Sequence, residues 1–232
     1  MKKTLTLYHG SEKIIEKPLF GAGNKNNDYG LGFYCTESIE LAKEWACSSE
    51  LNGYANKYTI DTDGLRILSL TNGDYHILNW LFVLLQNRKF RIDSDIAAQA
   101  KLYIENHFAV EYRSYDMIKG YRADDSYFSF ANAFLSNTIS ITQLERAMVL
   151  GKLGEQVVAI SKQSFERLHF VEAISASKEI YYPKKLSRDT KAREDFRKEK
   201  GRGNIITEKY MLDIIRERWL NDDERLQRVV LK

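Results

Sequence analysis

Two cysteines, two prolines and four histidines in 232 residues exclude several kinds of protein at once. Cys35 and Cys47 cannot build a disulfide framework, which points to a reducing compartment and so to the cytoplasm. Scarce proline argues against long extended linkers. His9, His76, His107 and His169 are scattered, with no pair at metal-ligand spacing and no cysteines to complete a set, so no metal is expected. The longest apolar run, Ile77–Leu85, contains Asn79 and falls far short of the roughly 18–20 residues that span a bilayer. It reads as a buried helix. The apolar stretch after Met1-Lys2-Lys3 is too short and too interrupted for a secretory leader. Neither a Gly-x-x-x-x-Gly-Lys-Ser/Thr loop nor a dinucleotide fingerprint opening a helix is present, so any nucleotide would bind without a Rossmann site.

What is present is an ordinary globular composition, 44% hydrophobic and 29% charged, enough for one large domain or one domain with an appendage. The chain is organised around Tyr29-Gly30-Leu31-Gly32-Phe33-Tyr34-Cys35-Thr36. Two glycines allow tight turning and close backbone approach, and Gly32–Thr36 reads as a short strand with an aromatic on each side of the pleat. Thr36 or Ser38 then caps a helix whose stripe is Leu41, Ala42, Trp45 and Ala46. Tyr34 and Trp45 either clamp a planar heterocycle, each stacked ring adding roughly 0.5–1.5 kcal/mol beyond its burial, or are core residues. Ahead of this block an alternating strand, Leu5-Thr6-Leu7-Tyr8, ends in His9-Gly10-Ser11.

These stretches in this order resemble the ADP-ribosyltransferase superfamily, on its diphtheria-toxin and poly(ADP-ribose)-polymerase-like side with a His, Tyr, Glu signature. They are most similar to a bacterial branch filed as a domain of unknown function. Tyr8–Ser11, the Tyr29–Thr36 block, the Leu41–Ala46 helix with its Trp, the Asp-x-x-x-Gly-x-x-Ala-Asp-Asp motif at Asp116–Asp125 and a late Gln-led strand carry the resemblance, over about residues 5–172. It implies an α+β fold, an ADP-ribosyltransferase-like split β-sandwich with flanking helices, and NAD as substrate. By the same resemblance His9 would bond the adenosine-side ribose and Gly10 would offer its backbone to the nicotinamide carboxamide. Ser11 and Gly32 would lie in the cofactor site, Tyr34 would stack on the nicotinamide, and Trp45 would take a second stacking position. Relatives usually carry that second ring as a Tyr ten residues further on. Ala42 stands where polymerase-like members place a Ser.

Along the rest of the chain, Ser11–Asn27 is a Gly/Asn-rich loop, either a mobile lid or a surface turn. Asn56–Ile60 and Gly64–Leu70 read as a strand pair around Asp61-Thr62-Asp63-Gly64. Helical patterns follow near 76–87 and 95–107, separated by a hinge at Arg88–Ser94. Asp116–Gly120 reads as a strand. Asp124 and Asp125 either cap the helix at Ser126–Asn137 or line the cleft. Ser140-Ile141-Thr142-Gln143 is a capping box for a helix stopping at Gly151. A strand follows at Glu155–Ile160, where active relatives begin with the catalytic glutamate. Here Gln156 is the aligned residue and Glu155 is the carboxylate. Adjacent strand residues face opposite ways, so at most one of the two reaches the cleft. A short helix near 162–168 and a last strand near 169–174 complete a domain drawn at residues 1–183.

Residues 184–232 form a basic helical extension. Lys184–Arg202 holds nine Lys/Arg against four Asp/Glu, a local charge of +5, leaving −2 elsewhere in a chain of net +3. It reads either as a solvated helix or tail or as a nucleic-acid or phosphate-binding patch. Met211, Ile214, Ile215 and Trp219 stripe a final helix near Thr207–Leu220, which needs this domain or a partner to cover it. The expected activity is cleavage of the nicotinamide–ribose bond with transfer of ADP-ribose to a protein or nucleic-acid acceptor. The rival expectation is a catalytically inert module that keeps the NAD or ADP-ribose pocket, or one that uses the basic extension to bind a partner or RNA.

Overall fold

The structure, a computed structural model, describes residues 4–123, 125–149, 154–201, 207–226 and 228–230. It is an α+β protein built on two principal sheets. The first is antiparallel and sets β3 (Gly53–Asp61) between β1 (Thr4–Ser11) and β8 (Leu168–Ala176). The second runs β2 (Phe33–Cys35), β7 (Glu155–Ala159), β6 (Met117–Tyr121), β4 (Ile67–Ser69), the last pair parallel. The sheets touch at an isolated bridge between Tyr8 and Thr36, whose backbones exchange hydrogen bonds of 2.8 and 2.9 Å. A third pairing joins β5 (Asn72–His76) to β9 (Arg228–Val230).

Strand alternation gives the second sheet two apolar faces. Met117 and Ala159, paired in register, join Phe33, Cys35 and Val157 in a core shared with Leu7, Tyr58 and Ile60 of the first sheet. Ile118 and Val158, the next pair, belong to a larger core under the helices. That core is filled by α2 (Ile77–Asn87), α3 (Asp95–His107), α4 (Asp125–Leu135), α5 (Ile141–Val149) and α8 (Met211–Arg216). Trp80, Leu81 and Leu84 of α2 are at most 1% exposed. Each such side chain contributes about 1.5–3 kcal/mol by leaving water. The expected buried helix at Ile77–Leu85 is therefore present, and no helix among the described residues is long and apolar enough to cross a membrane.

The expected strand pair around Asp61–Gly64 does not form. Its turn exists, with Gly64 at φ +72° and the Asp63 amide bonded to the Asp61 carboxylate at 3.0 Å. β3, however, already has a partner on both edges, so the turn hands the chain to the other sheet, where β4 lies beside β6. The loop after β1 is pinned. Buried Asn56 accepts from the Ile15 amide at 3.0 Å and donates to the Lys13 carbonyl at 3.1 Å, while Phe20 sets an edge against Phe165.

α1 (Ile39–Ala46) starts at Ser38, whose hydroxyl accepts from the Leu41 amide. α7 (Lys178–Lys200) runs without a break through the 183/184 boundary expected from composition. It crosses α1 through ion pairs of Lys184 with Glu40 at 3.2 Å and Arg188 with Glu44 at 2.8 Å, then docks on α4 by stacking Phe196 on Phe130, centroids 3.8 Å apart. Met211, Ile214 and Trp219 are buried in the chain's own helical core. α8 is shorter than expected, since Asp213 caps Tyr210 at one end and Arg218 takes φ +54° past the other.

Candidate functional site

The polar centre of the molecule lies where β1, β2, β7, the end of β6, α1 and α7 converge around a cavity of about 480 Å³. Gly10 makes this convergence possible. A Cβ there would sit 2.1 Å from the Ala42 carbonyl oxygen and 2.8 Å from Trp45 Cβ, so only glycine lets β1 lie against α1. His9 lines the cavity beside it and stacks on Phe33, centroids 4.3 Å apart. Its Nδ1 lies 2.7 Å from the Tyr34 carbonyl oxygen. Because a carbonyl only accepts, Nδ1 carries the proton. Burial lowers the His9 pKa, against the opposing pull of that backbone bond, so the ring is neutral and Nε2 is an acceptor.

Tyr34 pairs with Val158 in register and so stands on the helical face of the second sheet, the face Gln156 shares. Its hydroxyl donates to the Gly30 carbonyl at 2.6 Å and accepts from the Tyr29 amide at 3.0 Å, which locks the ring to the turn before it. Burial raises its pKa, keeping the phenol protonated. Trp45 is half-buried in the cavity wall with the Arg122 guanidinium 4.4 Å from its ring, a cation–π contact that occupies the ring face. The indole Nε1 is buried with no partner among the described residues. Tyr34 and Trp45 thus line one cavity without forming a ring pair.

Gln156, 4% exposed, forms the floor. Its Nε2 donates to Asp28 Oδ2 at 2.6 Å and to the Tyr121 carbonyl at 3.3 Å. Asp28 also accepts from the Ala123 amide at 2.8 Å and pairs with Arg88 at 3.3 Å. Burial raises the pKa of its carboxyl, opposed by these three partners and by Arg122. Asp28 is the carboxylate behind the cavity floor, and the sequence reading missed it. It closes an Asn-rich loop that reads as a turn, and its partners stand far along the chain. An acid directly ahead of the Tyr-Gly-x-Gly block was the only signal.

Glu155 faces the other way. It accepts from the Thr71 hydroxyl and pairs with Lys119 at 3.0 Å, and Lys119 also holds Glu37 at 2.9 Å. Glu155, Lys119 and Glu37 line a separate cleft of about 330 Å³ with Thr36, Ser38 and Leu41. Ser11 lies outside the main cavity, its hydroxyl accepting from the Lys13 amide at 3.1 Å. Gly32 is outside it too and serves strand packing, since a Cβ would lie 2.6 Å from Val158 Cγ1. Asp124 lies outside the described residues. Asp125 opens α4, and its side chain is likewise outside them.

The remaining wall is α7, through Lys185, Leu186, Arg188, Asp189 and Arg193. Arg188 grips buried Glu44 of α1 bidentately, at 2.9 and 2.8 Å. The cavity thus combines a neutral imidazole acceptor, a fixed phenol ring, an amide floor and a cationic side. Such a set suits a ligand that is partly planar, carries hydroxyl groups and bears negative charge.

Fold and cavity together define an α+β protein with a polar pocket between two sheets and a covering helix. The chain belongs to the family of proteins of unknown function DUF3990, whose match covers residues 5–170. No curated protein and no solved structure matches it.

Proposed function

We propose that the chain is an NAD-dependent ADP-ribosyltransferase of split β-sandwich type that binds NAD in this cavity and transfers ADP-ribose to a macromolecular acceptor. The observation that carries the reading is convergence: His9, Gly10, Tyr34, Trp45 and Gln156, drawn from four separate stretches of chain, line one cavity. In the reaction the nicotinamide leaves with the electron pair of its bond to ribose, and positive charge develops at the ribose anomeric carbon, as in glycoside hydrolysis. The acceptor's nucleophile then attacks that carbon and loses its proton. His9 Nε2 takes a ribose hydroxyl as donor, and Tyr34 presents a ring whose orientation is fixed from behind. Gln156 commits Nε2 to Asp28, which polarises the amide and makes Oε1 a stronger acceptor for the ribose. The Asp28–Gln156 pair thereby brings a carboxylate's influence to the site through an amide. Its electrostatic stabilisation is smaller than that of a carboxylate in direct contact, so turnover is slow.

Nicotinamide release from millimolar NAD, followed by chromatography, tests this. Wild type should release it, Gln156→Ala should lose at least tenfold, and Glu155→Gln should stay within twofold. No release and no NAD-dependent rise in melting temperature would end the reading.

The second reading is an inert binding module. The amide at position 156, in place of a carboxylate, is the observation that favours it. A melting-temperature rise with NAD but no nicotinamide release would select it.

A further inference from the structure

His9 lines the cavity, and what its Nε2 can do there depends on where the lone pair points. The Nδ1–H bond to the Tyr34 carbonyl, 2.7 Å long, anchors one edge of the ring and sends Nε2 toward the far side. A single bond of this kind leaves the ring plane free to turn about the bond axis. Phe33 sets the plane: the imidazole lies on its face with centroids 4.3 Å apart and planes 26° from parallel. Both constraints come from β2, although neighbours on a strand face opposite ways. Tyr34 gives its ring to the cavity and its carbonyl to Nδ1, whereas Phe33 turns into the core between the sheets and does not line the cavity.

Phe33 is itself wedged. It meets the buried Tyr58 edge-on at 5.4 Å and Phe165 at 6.2 Å, and its strand register with Ala159 holds its backbone. In a close-packed core such a ring cannot shift without moving its neighbours. A His9 ring released from that face would turn, and turning breaks the carbonyl bond. The hydrogen bond made by one ring nitrogen decides which nitrogen carries the proton, so Nε2 would then share it and cease to be a pure acceptor. A ligand would also have to order the ring again on binding, which costs affinity.

We propose that Phe33 is a positioning residue of this pocket: its ring sets the plane of His9 and, with the Tyr34 carbonyl, aims Nε2 at a ligand hydroxyl without touching the ligand. The proposal deepens the NAD reading and rests on it for the ribose that supplies the hydroxyl.

Nitrogen-15 NMR of the histidine side chains in the full chain, paired with calorimetry against NAD, tests it. The His9 signals are assigned by their absence in His9→Gln. Wild type should show His9 in the Nδ1–H tautomer alone. Phe33→Leu keeps apolar volume but removes the flat face, so it should show both tautomers and bind NAD at least fivefold more weakly. Ile60→Val alters a non-aromatic residue of the same core and should leave the tautomer unchanged and the affinity within twofold. Circular dichroism and melting temperature report folding of each variant. Should Phe33→Leu not fold, Phe33→Met carries the same expectation. A pure Nδ1–H tautomer in the Phe33 variant, or NAD affinity within twofold of wild type, would overturn the proposal by showing that the carbonyl alone holds the ring. Losses as large in Ile60→Val would overturn it too, since general softening of the core would then suffice. Mixed tautomers in Phe33→Leu with no NAD binding by wild type would end the NAD reading and leave the positioning of His9 standing. Nicotinamide release by wild type, with tautomer and affinity both indifferent to Phe33, does the reverse.

Discussion

Glu155 and Gln156 are neighbours on one strand yet live in different chemical worlds. Gln156 is buried, its amide nitrogen held by Asp28 and the Tyr121 carbonyl at the cavity floor. Glu155 is half-exposed in a surface cleft, sharing Lys119 with Glu37. The residue with the better charge for stabilising a cation points away from the cavity, and the one facing it borrows charge from a distant loop. A motif position is therefore defined by which side of the pleat it occupies, and its chemistry by what stands behind it.

The largest test of that contrast is removal of the borrowed charge. Asp28→Ala takes one acceptor each from Arg88, the Ala123 amide and Gln156 Nε2. Breaking a buried pair from one side costs about 3–5 kcal/mol. Because Arg88 keeps some access to water, a loss near about 3 kcal/mol in urea unfolding is expected. A loss below about 1 kcal/mol, the scale of an ordinary hydrogen bond, would mean that Asp28 does not organise the floor.

The next effect compares the two faces directly. Gln156→Ala should destabilise by about 1–3 kcal/mol, because Asp28 loses a buried donor. Glu155→Ala should cost about 0–1 kcal/mol, since Lys119 retains Glu37 and both pairs are partly solvated. Equal costs in thermal unfolding would erase the distinction drawn between the faces.

The smallest effect concerns pH. Burial raises the Asp28 carboxyl above its ordinary 3.8, so between the two values the folded state holds a proton that the unfolded chain has released. The stability tied to this proton is complete below pH 3.8 and is lost as pH rises through the folded value. Asp28→Asn has no proton to exchange. The difference in unfolding free energy between wild type and Asp28→Asn should therefore move toward the wild type as pH is lowered through that window. Movement in the opposite direction would mean that the bonds from Ala123, Gln156 and Arg88 outweigh burial.

Local signals in the sequence translated well into local structure. Ser140 and Gln143 do form the expected reciprocal cap, at 3.1 and 2.9 Å, because both partners lie within one turn. Ser38 caps α1, and the Met211–Trp219 stripe is covered. Long-range relations were hidden. The chain passes a turn at Asp61–Gly64 that has every feature of a hairpin, yet the pairing depends on which edges were already occupied. Asp28 gains its role from Gln156 and Ala123, far along the chain, and no periodicity reports such a meeting. The basic run was legible as charge, but its place in the cavity wall follows from Glu44 and Phe130, which give α7 two points to dock on. The stop of α5 expected at Gly151 lies outside the described residues.

The pairing of β5 with β9 bears on how the protein is made. Asn72 finds its strand partner at Val230 and His76 at Arg228, so β5 leaves the ribosome with an open edge that stays open until those residues have been made. Met211, Ile214 and Trp219, which belong to the helical core, likewise follow well over a hundred residues after α2. Contacts this distant in sequence slow folding because the loop between them must close before they contribute. A chain still being translated would hold its early strands beside an unfinished core, a condition that favours aggregation and chaperone capture. The cavity, walled on one side by α7, cannot be completed before α7 has been synthesised.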